Sequence, residues 1–340
     1  MNIVVIRMSA MGDVAMSVPV VKAFSEQYPG NRIIFVTRKL FNPFFEGIEN
    51  LTLVNPDLKG RHKGIPGLFR LFRELKKEYS PEIVIDIHDV LRSKILRSFF
   101  RLAGTPVHVF DKGRKEKKML TRLEAKALKP LKHSTDRYAE AFAEAGFPLK
   151  TEKKDKAEKL KLPEELQTLL KGEERKIGIA PFAMHEQKQY PLEKTKELIS
   201  LLARKGNKIY IFGGGDKEAS IAREIADATE NVVSLIGKFP LADEIRFISN
   251  LDLMISMDSA NMHIAALTGI HIVSIWGATH PYAGFTPYIA KSRSHIIQRN
   301  DLNCRPCSVF GNKPCHKEHM ECYDIPPELI AAKCEEVLKN

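Results

Sequence analysis

Short apolar runs alternate with stretches of helical periodicity along the whole chain. In the first half, residues 3–6 (Ile-Val-Val-Ile), 33–36 (Ile-Ile-Phe-Val) and 83–87 (Ile-Val-Ile-Asp-Ile) form short, nearly continuous apolar runs rich in β-branched residues. That is the pattern of parallel strands covered on both faces. Between them, residues 14–28 and 67–78 place apolar side chains at helical spacing. The same alternation restarts at 176–180 and continues through 208–212, 252–256 and 271–276. Two α/β units with doubly wound parallel sheets follow, their ligands expected beyond the carboxyl ends of the strands. Residues 150–156 carry no apolar periodicity, and Pro163 soon follows, which suits an exposed connection. The expected division is an N-terminal Rossmann-like domain over 1–160, a second over 161–325, and an amphipathic C-terminal helix over 326–340.

The length of 340 residues exceeds the usual reach of one hydrophobic core, which agrees with two domains. No apolar run approaches the roughly 20 residues that span a bilayer. Arg7 interrupts the first apolar stretch before it could serve as an export signal, so a cytoplasmic location is expected. Charge adds a further feature. The formal net charge is +11, and residues 59–133 alone hold 20 Lys and Arg against 8 Asp and Glu. Such a field favours an anionic partner, whether nucleic acid, an anionic membrane surface or a phosphorylated lipid acceptor, and it equally suits a solvated basic face kept for solubility. Within this stretch Arg61, Lys63, Arg92 and Arg97 lie near predicted strand ends and loops, and are the candidate acceptor contacts.

The turn after the first strand, Ser9-Ala10-Met11-Gly12-Asp13, has a single glycine and lacks the G-x-G-x-x-G of a dinucleotide-binding turn, which argues against a dehydrogenase. Asp13 is a candidate general base toward an acceptor hydroxyl. It also suits the N-cap of the next helix. Pro19, best tolerated in a first turn, would instead move the cap to Ser17 and leave Asp13 free in the crevice. Downstream, Met257-Asp258-Ser259-Ala260-Asn261-Met262-His263 follows a strand and opens a helix, whose unpaired amides would receive a diphosphate. Ser259 offers a hydroxyl and Ala260 permits close approach. Asp258 would repel phosphate, so it is expected to cap amides or orient His263, a residue that fits either a ligand contact or a packed core position. Lys188, in the polar loop 184–191, could neutralise a leaving diphosphate or simply be solvated. Gly213 and Gly214, at the end of another strand, let backbone approach a nucleotide.

All five cysteines fall within the last 37 residues, an odd number that argues against a disulfide framework. Cys304, Cys307, Cys315 and Cys322 have the ligand count of a structural zinc site. The interleaved Pro306, Phe310 and Pro314 equally suit an ordered loop with free thiols, which is the favoured reading, and no metal site is expected.

Taken together, these motifs resemble glycosyltransferase family nine, the heptosyltransferases that build the inner core of lipopolysaccharide. The match rests on residues 9–14, on Lys188 before Tyr190-Pro191, on residues 258–263, and on Trp276-Gly277-Ala278-Thr279. The clustered cysteines are similar to the tail of many members, especially those like heptosyltransferase II. The resemblance implies a GT-B fold of two Rossmann-like domains facing across a cleft, with ADP-heptose as donor in the C-terminal domain and the acceptor in the N-terminal one. It implies no metal or other cofactor for catalysis. Carried over, Asp13 is the base, Lys188 the phosphate contact, and Asp258, Ser259, Ala260 and His263 the donor-binding turn. Glu218 is the equivalent of an acidic ribose contact. The family commonly has Thr-Gly where this chain has Ser259-Ala260, a change that keeps the hydroxyl but adds a methyl. An inverting single displacement onto an inner-core acceptor is then expected, with peripheral contact at the cytoplasmic face of the inner membrane. The alternatives are another nucleotide-sugar transferase or epimerase on the same fold and, from a different class, a basic nucleic-acid-binding protein.

Overall fold

A computed structural model describes residues 1–339. The chain separates into two compact units, one formed by Met1–Arg114 with Lys132–Glu152, the other by Lys115–Leu131 with the chain from Lys153 onward.

In the first unit the elements are β1 (Asn2–Ile6), α1 (Met11–Gln27), β2 (Arg32–Val36), β3 (Leu51–Val54), α2 (Gly64–Tyr79), β4 (Ile83–Asp86), α3 (Leu91–Leu102), β5 (Val107–Val109), the start of α4 (Arg114–Leu120) and α5 (Ser134–Glu144). The strands pair in parallel in the order β3-β2-β1-β4-β5. Register sets Val4 opposite both Ile34 and Val84. Val4, Ile6, Ile34, Val36 and Val84 therefore form one apolar face, which packs on Leu68, Leu71 and Leu75 of α2 and on Leu96 and Phe100 of α3. On α1 and α5, Phe24 and Phe142 pack with ring centres 5.5 Å apart, and Phe24 also meets Phe147 at 5.2 Å. Layers of this kind on both faces explain why β1, β2 and β4 read as continuous apolar runs.

Helix α1 departs from the sequence expectation. It begins at Met11 and runs straight through Pro19, with Ala10 as N-cap. Asp13 is therefore the third helical residue rather than the cap, and its Oδ2 accepts from the Ala10 amide at 3.4 Å. Ser17 is not a cap either: it is fully buried and its hydroxyl donates to the Val14 carbonyl at 2.7 Å. The cost of an interior proline, about 3 kcal/mol, is outweighed by burial of Val14, Ala15, Val18, Val20, Val21 and Phe24 along the helix.

The second unit takes the remainder of α4, then α6 (Glu164–Leu169), β6 (Lys176–Ala180), α7 (Leu192–Arg204), β7 (Lys208–Ile211), α8 (Asp216–Ala228), β8 (Val232–Ser234), α9 (Leu241–Ile248), β9 (Leu253–Met257), α10 (Ala260–Thr268), β10 (His271–Trp276), β11 (Ser294–Gln298) and α11 (Pro327–Lys339). Its sheet is parallel, in the order β11-β10-β9-β6-β7-β8. Helix α11 packs on α7, burying Ile330, Ala331, Cys334 and Val337 in the same core as Leu198, Ile199 and Leu202. The 115–131 segment is tied in by Lys126, whose ammonium donates to the carbonyls of Asn303, Cys304 and Pro306 at 2.8 to 3.2 Å. Among the described residues no helix is long and apolar enough to cross a membrane.

Candidate functional site

In the first unit the carboxyl ends of β1 and β4 bring Arg7, Asp13, His88 and Tyr138 together. Arg7 follows β1 and is 5% exposed. Its guanidinium donates to the Ile87 carbonyl at 2.6 Å and pairs with Asp13 Oδ2 at 2.6 Å. Burial works against the Arg7 charge, and Asp13 and Tyr138 more than offset it, raising its pKa. The Tyr138 hydroxyl donates to Asp13 Oδ1 at 3.4 Å, and burial pushes its pKa upward. Both oxygens of Asp13 thus have a fixed donor, while 31% of the side chain remains exposed. His88 lies beneath, its Nε2 3.3 Å from the Ser9 hydroxyl. Burial first, and Arg7 second, lower its pKa to about 3, so the imidazole is neutral at pH 7.

The acceptor candidates do not share one environment. Arg97 is spent inside the unit, donating to Asp86 at 2.6 Å and to Asp89 at 3.0 Å. Arg61 is exposed but paired with Glu74, and its loop is pinned by Asp57, which accepts from the amides of Gly60 and Arg61. Lys63, the N-cap residue of α2, and Arg92 are exposed. The basic stretch is therefore divided between solvent and internal carboxylates, with Arg97 on the internal side.

In the second unit, two motifs 70 residues apart in sequence meet. Lys188 closes a short helical turn after β6, and Asp258 follows β9. Their side chains form an ion pair of 2.8 Å, with Lys188 16% exposed and Asp258 5%. Asp258 therefore neither caps the amides nor lies free to repel phosphate, and Lys188 is not a solvated loop residue. Ser259 is the N-cap of α10 by backbone conformation, with φ −140° and ψ 176°, yet its side chain makes no capping bond. Its hydroxyl sits 3.2 Å from that of Ser256 instead. The first amides of α10 are left for an anion, with the helix dipole behind them. His263, on the same helix, is buried at 6% exposure. Gly214 donates its amide to Glu218 at 2.8 Å. A Cβ on Gly213 would stand 2.7 to 2.9 Å from Glu218, Ile236 and Phe182, so the first glycine of the triplet serves close packing.

The cysteine-rich tail supports this site. Gly311, at φ +69°, lies against the Lys188 stem, where a Cβ would come within 2.3 Å of Cγ. Gly277 similarly leaves room for the Tyr323 ring, whose hydroxyl donates to the Gln187 carbonyl at 3.3 Å. Arg305, 4% exposed, donates to the carbonyls of Trp276, Gly277 and Thr279 and to the Gln298 side chain, fixing the turn after β10. Cys304, Cys307, Cys315 and Cys322 are free thiols lining one cavity of about 20 Å³ with Arg305, His316 and His319. Among the described residues, no group of three or more His, Cys, Asp or Glu is arranged to hold a metal ion. The sequence reading missed Arg7, Tyr138, His88, Arg305 and Tyr323. Arg7 and His88 gave a signal, as titratable residues directly following the apolar runs 3–6 and 83–87.

The family model for glycosyltransferase family 9 (heptosyltransferase) matches residues 68–317. Lipooligosaccharide heptosyltransferase 2 of Haemophilus influenzae is 27% identical, covering 99% of this chain and 99% of its own. Among solved structures, a family 9 glycosyl transferase from Veillonella parvula aligns with a TM-score of 0.76 at 21% identity, covering 99% of this chain and 97% of that one. ADP-heptose LPS heptosyltransferase II of E. coli aligns at 0.71 and 19% identity, covering 100% and 99%. The fold is shared with both.

Proposed function

Because the chain belongs to glycosyltransferase family 9 and is thus a glycosyltransferase, we propose that it transfers heptose from ADP-heptose to an inner-core lipopolysaccharide acceptor, with inversion at the anomeric carbon. One observation carries the assignment of roles. Each unit holds a carboxylate–cation pair beyond its strand ends, and the exposed member differs: the carboxylate in the first, the cation in the second. Asp13, held by Arg7 and Tyr138, takes the proton of the acceptor hydroxyl as that oxygen attacks the anomeric carbon. The bond to the diphosphate oxygen breaks in the same displacement. Lys188 and the open amides of α10 receive the charge of the departing ADP. Ser259, Ala260 and His263 line the donor turn, and Glu218, with Gly213 and Gly214, is assigned to the ribose side. Lys63 and Arg92, exposed in the first unit, and Arg61 are assigned to the anionic acceptor. Its lipid would place the reaction at the cytoplasmic face of the inner membrane.

The 27% relative and the shared fold support this reading over an epimerase or a nucleic-acid-binding protein. The test is incubation with ADP-heptose and a panel of truncated core acceptors, followed by mass spectrometry. A heptosylated acceptor with inverted linkage is the expected product. Recovery of unchanged acceptor alongside an epimerised nucleotide sugar would replace the proposal with the isomerase reading.

A further inference from the structure

Helices α2 and α3 lie side by side over one face of the first sheet, with Leu68, Leu71, Leu75, Leu96 and Phe100 buried beneath them. Both carry a second apolar row beside this core, whose inner members Phe72, Ile95 and Phe99 pack partly against it. On α2 it is Ile65, Phe69 and Phe72; on α3, Ile95, Phe99 and Leu102, each spaced i, i+4, i+7 and hence on one side of its helix. The rows meet as a seam: the Phe69 ring lies 5.2 Å from Phe99 and 5.9 Å from Phe72, with Phe72 and Phe99 5.9 Å apart. Its outer members stand in solvent, Ile65 at 60%, Phe69 at 45% and Leu102 at 85% exposed. A contiguous apolar ridge of this kind marks an interaction surface more often than scattered exposed residues do.

Charge identifies the occupant. Exposed Arg70, Arg73, Lys77 and Arg101 flank the ridge, and among the described residues none of them is ion-paired with a carboxylate. Helix α3 has four basic residues and no acidic one; Lys94 pairs with Asp89 and Arg97 with Asp86 and Asp89, which leaves Arg92 and Arg101 without a carboxylate among the described residues. Aromatic and aliphatic side chains bordered by unneutralised arginines match a lipid surface with anionic headgroups. A protein partner of neutral surface would leave those charges unmet. Both helices start at the carboxyl edge of the sheet, the edge that carries Asp13.

We propose that the α2–α3 ridge docks the protein on an anionic bilayer, Ile65, Phe69 and Leu102 entering the headgroup boundary while Arg70, Arg73 and Arg101 meet anionic headgroups. The purpose of this docking rests on the lipid-borne acceptor proposed above; the binding itself does not. The full chain is sedimented with vesicles of phosphatidylglycerol and phosphatidylethanolamine, and with vesicles of phosphatidylcholine alone. Binding is expected to the first only, to fall at about 0.5 M salt, and to weaken at least ~5-fold in Arg70→Gln/Arg73→Gln/Arg101→Gln. Leu102→Ser, at a side chain too exposed to endanger folding, should weaken it by a smaller factor, and Phe69→Ser by more. Heptosyl transfer to a delipidated acceptor is measured on the same samples and should be unchanged by all of these variants. Equal sedimentation with both lipids, or full binding by the triple variant and by Leu102→Ser, would overturn the docking surface. So would a concentration-dependent dimer that Leu102→Ser dissociates. Failure of transfer with vesicle binding intact would count against the proposed reaction alone.

Discussion

The two ion pairs are built from the same parts in opposite orders. In the first unit Arg7 is the buried member, at 6% side-chain exposure against 31% for Asp13; in the second, Asp258 is buried at 5% against 16% for Lys188. A buried ion pair is poor evidence of stability, because desolvation of both charges consumes most of their attraction. What the arrangement provides is one oriented charge at the surface, steadied by a partner that cannot leave. In the proposed reaction the exposed member carries the chemistry: a carboxylate to take a proton, an ammonium to meet a diphosphate. Each half of that statement can be broken separately.

The largest effect is expected at Asp13. Asp13→Asn keeps an oxygen for Arg7 to donate to but removes the base, so turnover should fall by about 10²- to 10⁴-fold while ADP affinity stays near that of the parent and the melting temperature falls, because buried Arg7 loses its counter-charge. Steady-state kinetics with a thermal melt decide it. Turnover close to the parent's would reduce Asp13 to a helix-terminal residue whose carboxylate merely accepts from the Ala10 amide.

The second unit should respond differently, since there the exposed and buried roles are exchanged. Lys188→Ala leaves the Asp258 carboxylate buried without its cation, which costs about 3 kcal/mol of stability, and removes the diphosphate contact as well. Adding Asp258→Asn to Lys188→Ala should restore much of the melting temperature without restoring ADP affinity. If the double variant recovered nucleotide binding by calorimetry, the ammonium would have no role beyond balancing Asp258.

How much of this was legible beforehand follows from where the information resides. The central strands β1, β2, β4, β6, β7, β9 and β10 are covered on both sides and announce themselves as apolar runs. The strands without such a signal, β3, β5, β8 and β11, are the four sheet edges; β3, β5 and β11 are mostly half-buried, as Leu51–Val54 is throughout, and β8 is only three residues long. An edge strand is defined by its neighbour's backbone, which one sequence does not display. The same holds for the site. Asp13, Lys188 and Asp258 stand out by position after strands, whereas the partners that define their roles come from distant segments: Tyr138 lies 125 residues from Asp13, and the Gly311 that packs on Lys188 belongs to the cysteine tail. Pro19 misled because tertiary burial along α1 overrode a local preference.

Acid should act on the two units unequally. The folded pKa of His88 lies near 3, below the 6.5 of an unfolded imidazole. As pH falls through that window the unfolded chain binds a proton that buried His88 refuses, so stability drops, by about 2 kcal/mol at about pH 5. His280 in the second unit, lowered to about 4 by burial and then by Arg305 and Lys126, opens a narrower window closing near pH 4. Denaturant melts between neutral pH and the acid limit should therefore show His88→Asn flattening the pH slope over a wider range than His280→Asn. Equal slopes in parent and His88→Asn would mean that His88 is protonated in the native state and is no part of a neutral floor beneath Arg7 and Asp13.

The smallest effect is expected from charges that belong to neither pair. Arg61 is exposed at the surface and already shared with Glu74, and Lys63 is solvated at the start of α2. Exposed charges act through a screened field and contribute little individually. Replacing both by Gln should therefore raise the acceptor Michaelis constant only a few-fold, leave ADP binding untouched, and shallow the decline of rate with added salt. The contrast with Lys188 is the point of the measurement, because a largely enclosed, ion-paired ammonium on a diphosphate should be far less sensitive to ionic strength than two solvated charges on an acceptor. If Arg61→Gln/Lys63→Gln changes neither the acceptor constant nor the salt response, the acceptor's anionic groups are met elsewhere on the first unit, and exposed Arg92 is the next residue to replace.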